Sequence, residues 1–169
     1  MRLLRSLPEG SPAAKSGEVS PGDDALVITA NGLRCMRWGY QIGEKKDLII
    51  NARSETVSER RTFAGSVRCV VPALCYYEWF GERRNRTRYR MWREGEILFM
   101  AGIFRNFGDR FRFTVLTREA CPSIRALHDR MPVLIGRKDI VRHLEGNDPK
   151  PLDHVESVRA DGQMSLFDI

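Results

Sequence analysis

The chain has 169 residues, 42% hydrophobic and 30% charged, with a formal net charge of +6. This length fits one globular domain of about 100–200 residues, and the composition is that of a packed core under a well-solvated surface, which excludes disorder. No run approaches the ~20 apolar residues that span a bilayer, and Met1-Arg2-Leu3-Leu4-Arg5 lacks the apolar core of a signal peptide. A cytoplasmic, monomeric protein with no membrane partner is therefore expected. The basic residues are nearly all arginine, which favours anionic partners because guanidinium binds phosphate bidentately and stacks on bases. An arginine-rich surface without a binding role fits the same composition.

In chain order, residues 1–24 are rich in Pro, Gly, Ser and Ala and end in a turn at Ser20-Pro21-Gly22-Asp23-Asp24, with 1–17 read as disordered or truncated and 18–169 as the domain. Ala25–Thr29 and Leu33–Gly39 flank Asn31-Gly32, a favoured hairpin turn. After Leu48-Ile49-Ile50 the polar stretch Ser54–Arg61 is expected to open a short helix. Arg68–Pro72 and Cys75–Trp79 read as strands because β-branched and aromatic residues concentrate there.

Residues 81–94 carry six arginines interleaved with Tyr89 and Trp92, a hairpin with a basic tip. Ile97–Phe104 and Arg112–Thr117 are expected to pair across a turn at 106–109. Ser123–Leu127 reads as a helical turn, Lys138–Leu144 as a short helix, and the tail as irregular apart from a strand near Val155. Many short strands with few small helices define an α+β, mainly β domain.

Two groups stand out as candidate proton carriers. Glu78 sits among aromatic and apolar neighbours in Tyr76-Tyr77-Glu78-Trp79, where desolvation would raise its pKa; strand alternation could equally turn it to solvent. His128 lies in a polar loop before Met131-Pro132, a position that suits either an exposed or a functional histidine. Asn51, at a strand end, could hold a ligand or cap the expected helix after it. The four cysteines, Cys35, Cys69, Cys75 and Cys121, form no CxxC pair and read as small core residues, and the three histidines lack ligand spacing. No metal and no cofactor is indicated.

Taken together, Met36-Arg-Trp-Gly, Asn51-Ala-Arg-Ser-Glu-Thr, Arg68-Cys-Val-Val-Pro, Tyr77-Glu-Trp, Ala101-Gly-Ile, Thr114-Val-Leu-Thr, His128-Asp-Arg-Met-Pro and a closing Ser165-Leu-Phe-Asp resemble, in order and spacing, the signature blocks of the SRAP family, the SOS response-associated peptidases. The resemblance implies an α+β, mainly antiparallel domain with a curved, barrel-like sheet. It implies binding of single-stranded DNA and covalent trapping of abasic sites as a thiazolidine, in the DNA damage response, with an associated autopeptidase activity. Asn51 matches the residue that holds the reactive N-terminal cysteine, Glu78 the one that handles protons near its amine, and His128 the one that assists ring opening. Arg53 and Arg130 match phosphate contacts, Trp38 and Trp79 match aromatics that stack on or wedge against bases, and Thr117 is grouped with these DNA-facing residues and expected to orient a proton carrier. Trp38 and Trp79 also read as core aromatics.

The family pattern begins Met-Cys-Gly-Arg, whereas this sequence begins Met1-Arg2-Leu3-Leu4. A missing leading section is expected to account for this, with a natural cysteine-free relative as the alternative. No internal cysteine can substitute, since the thiazolidine needs an amine and a thiol on one residue. Two other functions fit the residues: a non-covalent single-stranded-DNA-binding module, and a conventional hydrolase using Glu78 and His128 with water.

Overall fold

The structure, a computed structural model, describes residues 14–44, 47–82 and 85–160. The chain's two ends, including Ser165-Leu-Phe-Asp, and Arg83 and Arg84 of the basic tip lie outside them. Alternation of polar and apolar residues builds the first hairpin: β1 (Asp24–Thr29) pairs antiparallel with β2 (Gly32–Trp38), from Asp24↔Arg37 to Thr29↔Gly32. The turn differs from the expected Asn-Gly pair. Ala30 and Asn31 occupy its centre, and Gly32 takes the positive φ of +109° at the first strand position, because no described non-glycine residue adopts positive φ.

β3 (Asn51–Arg53) is followed by consecutive turns and a 3-10 helix at Arg61–Phe63, not by the helix expected over 54–61. That polar octet has no apolar stripe to offset the cost of a first helical turn. Its start is instead tied into the sheet, where the Ser54 amide donates to the Thr117 carbonyl at 2.8 Å. β4 (Val67–Ala73), β5 (Cys75–Phe80), β6 (Thr87–Trp92), β7 (Leu98–Asn106) and β8 (Phe111–Glu119) come next along the chain. Beyond them lie α1 (Pro122–Arg125), β9 (Arg130–Pro132), a 3-10 turn at Arg137–Asp139 running into α2 (Ile140–Leu144), and β10 (Glu156–Arg159).

The main sheet runs β2-β1-β4-β7-β8 and closes on itself: β2 lies parallel to β8 through Arg37↔Arg112 and Trp38↔Phe113. β3 also runs parallel along β8, from Asn51↔Val115 to Arg53↔Thr117, and β9 pairs antiparallel with the end of β8. The fold is thus α+β with a barrel-like, mostly antiparallel sheet. A second sheet, β10-β6-β5, leaves β5 at its edge.

Alternate residues of the central strands feed two apolar clusters. Cys69, Val71, Met100, Phe113 and Val115 belong to one, and Val70, Ala101, Ile103 and Leu116 to the other. Both faces of β7 and β8 are therefore buried, which fits their near-continuous apolar runs. No described helix is long and apolar enough to cross a membrane.

Gly39 turns the chain off β2. Its amide donates to the Phe113 carbonyl at 2.8 Å, its φ is +107°, and an added Cβ would lie 2.8 Å from Leu48 Cβ. Gly39→Ala is expected to cost about 1–3 kcal/mol through this strained conformation, read as a lower thermal midpoint; an unchanged midpoint would show that the turn relaxes freely.

Candidate active site and nucleic-acid interface

Four separate parts of the chain converge on one cavity of about 280 Å³. Asn51 and Arg53 come from β3, Glu78 from β5, and Thr117 from β8, while His128 approaches from the loop between α1 and β9 and Arg130 from the start of β9; Met131 and Pro132 of β9 complete the wall. Strand pairing explains part of this convergence, because Arg53 is directly opposite Thr117 in the parallel β3–β8 pair and Thr117 is in turn opposite Pro132 in the antiparallel β8–β9 pair. Of the eight residues singled out from the sequence, six meet here.

Glu78 shares a strand face with Tyr76, which packs against the core, so alternation turns this carboxylate inward and leaves it half-buried. Burial pushes its pKa above the ordinary carboxylate value; His128 opposes the rise and Asp129 adds to it. The His128 ring is fixed locally: Nδ1 lies 3.0 Å from both the amide nitrogen and the carbonyl oxygen of Arg130, and 3.3 Å from Asp129 Oδ1. The Asn51 side chain makes no hydrogen bond among the described residues.

Arg130 is gripped by Glu55. Its Nη1 and Nη2 each donate to one Glu55 carboxylate oxygen at 2.8 Å, and Nη2 also donates to the Thr117 carbonyl at 2.7 Å. This fork holds the Glu55 pKa down at about 2. Glu55 is not among the residues singled out from sequence; its place two residues after Arg53 in the Asn51–Thr56 block is the available signal. The Thr117 hydroxyl accepts from Arg130 Nη2 at 3.4 Å and donates to the Ala52 carbonyl at 3.4 Å. It thereby steadies the Arg130 guanidinium at the wall of the cavity that also holds Glu78 and His128.

The two tryptophans stand outside the cavity. Trp38 is half-buried, its indole N–H donating to the Ile50 carbonyl at 3.0 Å and its ring lying 7° from the plane of Phe113 with centroids 6.4 Å apart. Its core reading is the one its contacts match. Trp79 is 53% exposed, on the β5 face opposite Glu78, with the Arg88 guanidinium 5.8 Å from its ring. Arg88 itself sits 3.6 Å over Tyr77 and pairs with Glu18, and Arg93 pairs with Glu96, so these members of the basic run carry acidic partners. Among the described residues no three His, Cys, Asp or Glu side chains gather as metal ligands.

A small closed sheet with a carboxylate, an imidazole, an amide and two arginines around one cavity is the arrangement of a protein built to hold a polar, anionic substrate. The chain belongs to the SRAP family: the family model for SOS response associated peptidase (SRAP) matches residues 5–168. It is similar to the abasic site processing protein YoaM of Bacillus subtilis (28% identical over 165 residues, covering 85% of this chain and 71% of YoaM). It is also similar to YobE of the same organism, likewise an abasic site processing protein (29% over 174 residues, 90% and 77%). Among solved structures, a Bordetella bronchiseptica protein superposes with a TM-score of 0.76 at 22% identity, covering 88% of this chain and 89% of that one. A Bacteroides thetaiotaomicron protein gives 0.68 at 21% identity, covering 82% and 74%. At those identities the structures establish the fold alone.

Proposed function

We propose that this protein processes abasic sites in single-stranded DNA during the DNA damage response, seating the lesion in the cavity bounded by Asn51, Glu78 and His128. The observation that carries the reading is that convergence of an inward carboxylate and a fixed imidazole beside two arginines. The names of the Bacillus relatives point the same way.

An abasic site in its ring-opened form presents an aldehyde. Its capture by an N-terminal cysteine requires a neutral amine to attack the carbonyl, one water to leave as the imine forms, and the thiol of the same residue to add to the imine carbon, closing a thiazolidine. Each step moves a proton. A carboxyl with a raised pKa can donate to the departing hydroxyl, and the His128 imidazole can protonate the sugar oxygen released on ring opening. Arg53 and Arg130 hold flanking phosphates, and Asn51 offers an amide to the adduct. Autopeptidase activity would draw on the same groups with a peptide carbonyl in place of the aldehyde.

Cys35, Cys69, Cys75 and Cys121 all lie within the chain and have no free α-amine, so none of them supplies both nucleophiles. Non-covalent single-strand binding is the second reading. The two are separated by denaturing-gel crosslinking to an abasic single-stranded oligonucleotide, using this chain beside a version carrying an N-terminal Met-Cys-Gly-Arg segment. A heat-stable adduct with the second protein only is the expected result. No adduct with either leaves salt-dependent strand binding as the function.

A further inference from the structure

A second, more open cavity of about 380 Å³ adjoins the first and shares Arg53 and Arg130 with it; Glu119, Arg125 and Asp129 form the rest of its wall. Its three arginines are not equivalent. Arg130 is committed to Glu55 by both terminal nitrogens. Arg53 is exposed and has no hydrogen-bond or ion-pair partner among the described residues. Arg125 directs only Nη2 to protein acceptors, Glu119 Oε1 at 2.7 Å and the Ala120 carbonyl at 3.5 Å, which leaves Nε and Nη1 for a ligand.

The Arg125–Glu119 pair is weak by construction. Its side chains are 61% and 72% exposed, and exposed pairs of this kind contribute little because water screens the attraction. A phosphodiester can take a whole edge of the guanidinium through two oxygens, Nε with Nη2 or Nη1 with Nη2, a better match to the fork than one carboxylate oxygen at one nitrogen, and either edge uses the Nη2 that Glu119 occupies. Glu119 then faces the incoming anion with like charge.

From this arrangement we propose that the second cavity is a phosphodiester subsite for the nucleotide next to the one in the lesion cavity, with Arg125 as its ligand and Glu119 as an internal competitor for that guanidinium. The inference rests on the single-strand reading above and deepens it. It makes strand affinity adjustable by a residue that lines no part of the lesion cavity.

The test is equilibrium binding of a fluorescent, undamaged single-stranded oligonucleotide to the full chain across a salt series. Arg125→Ala is expected to weaken binding and to lower the slope of log K against log salt by about 0.7, the counterion release of one phosphate contact on a single strand. Glu119→Gln is expected to tighten binding in the native background and to tighten it clearly less when Arg125 is already Ala, where only the like-charge repulsion is relieved. Arg61→Ala, which removes the same charge at an exposed position lining neither cavity, should leave the slope in place. A loss equal to that of Arg61→Ala, or a Glu119→Gln effect that is undiminished without Arg125, overturns the subsite. If the native chain binds no strand at all, the functional reading itself fails; if Arg53→Ala weakens binding while Arg125→Ala does not, that reading stands and the subsite falls.

Discussion

Glu78→Gln, introduced into the protein carrying an N-terminal cysteine, is expected to slow adduct formation with an abasic oligonucleotide by about 10²–10⁴-fold, the usual contribution of a positioned acid or base. Glutamine keeps the shape and hydrogen-bonding reach of the side chain but cannot give or take a proton. The same substitution should make the protein more stable at neutral pH. Burial raises the Glu78 pKa above its unfolded value, so between the unfolded and folded pKa values the folded state holds a proton that the unfolded state releases. Its contribution to stability is fully present below the unfolded pKa and is lost as pH rises through the folded pKa. Removing the ionisable group removes that loss. The thermal midpoints of the two proteins should therefore coincide in acid and separate toward neutrality, with the glutamine protein higher. A variant that is both slower and less stable at neutral pH would mean that Glu78 is held by contacts that favour its charged form.

Phe113→Ala is expected to cost about 3–5 kcal/mol, the range for emptying a buried aromatic site. This is a large share of the roughly 5–15 kcal/mol that keeps a domain folded. Phe113 is 1% exposed, lies in β8 opposite Phe104 and beside Trp38, and stacks on the Trp38 ring where β2 closes against β8. Removing it leaves a void at the seam on which the ring of strands depends. Urea unfolding followed by Trp fluorescence should show the loss; a cost below about 1 kcal/mol would mean the seam collapses readily around the gap. Phe113→Leu, which retains most of the volume, should cost clearly less.

Local pattern makes much of the fold readable. β1 with β2 and β7 with β8 are hairpins whose partners lie close in sequence, so period-two alternation and intervening turn residues are sufficient to find them, whereas the hairpin expected within 81–94 is one strand, β6, that pairs back with β5. The parallel contacts of β2 and β3 with β8 leave no such trace, since nothing in Arg37-Trp38 or Asn51–Arg53 names a partner far along the chain. The barrel comes from the resemblance. The polarity of the stretch after β3 suits an exposed helix as well as a run of turns, and what decides between them is its first amide, which completes a strand pairing with Thr117.

The candidate site divides in the same way. Motif blocks bring forward Asn51, Arg53, Glu78, His128 and Arg130, and the strand pattern leaves the direction of Glu78 open until its face is known. What the sequence does not reveal depends on distant partners: Glu55 reaching Arg130, and Thr117 serving that arginine.

The β2–β8 seam also governs the order in which the protein can be made. Residues 37 and 38 have no ladder partner there until residues 112 and 113 have been synthesised, and such non-local pairing is intrinsically slow to form. On a ribosome, the nascent chain therefore passes through a stage in which β1, β2, β4 and β7 are available while the end of β2 is an unmatched edge open to association with another chain. Emergence of a single strand, β8, ends that exposure, because it supplies the neighbour of β7, β2, β3 and β9 together.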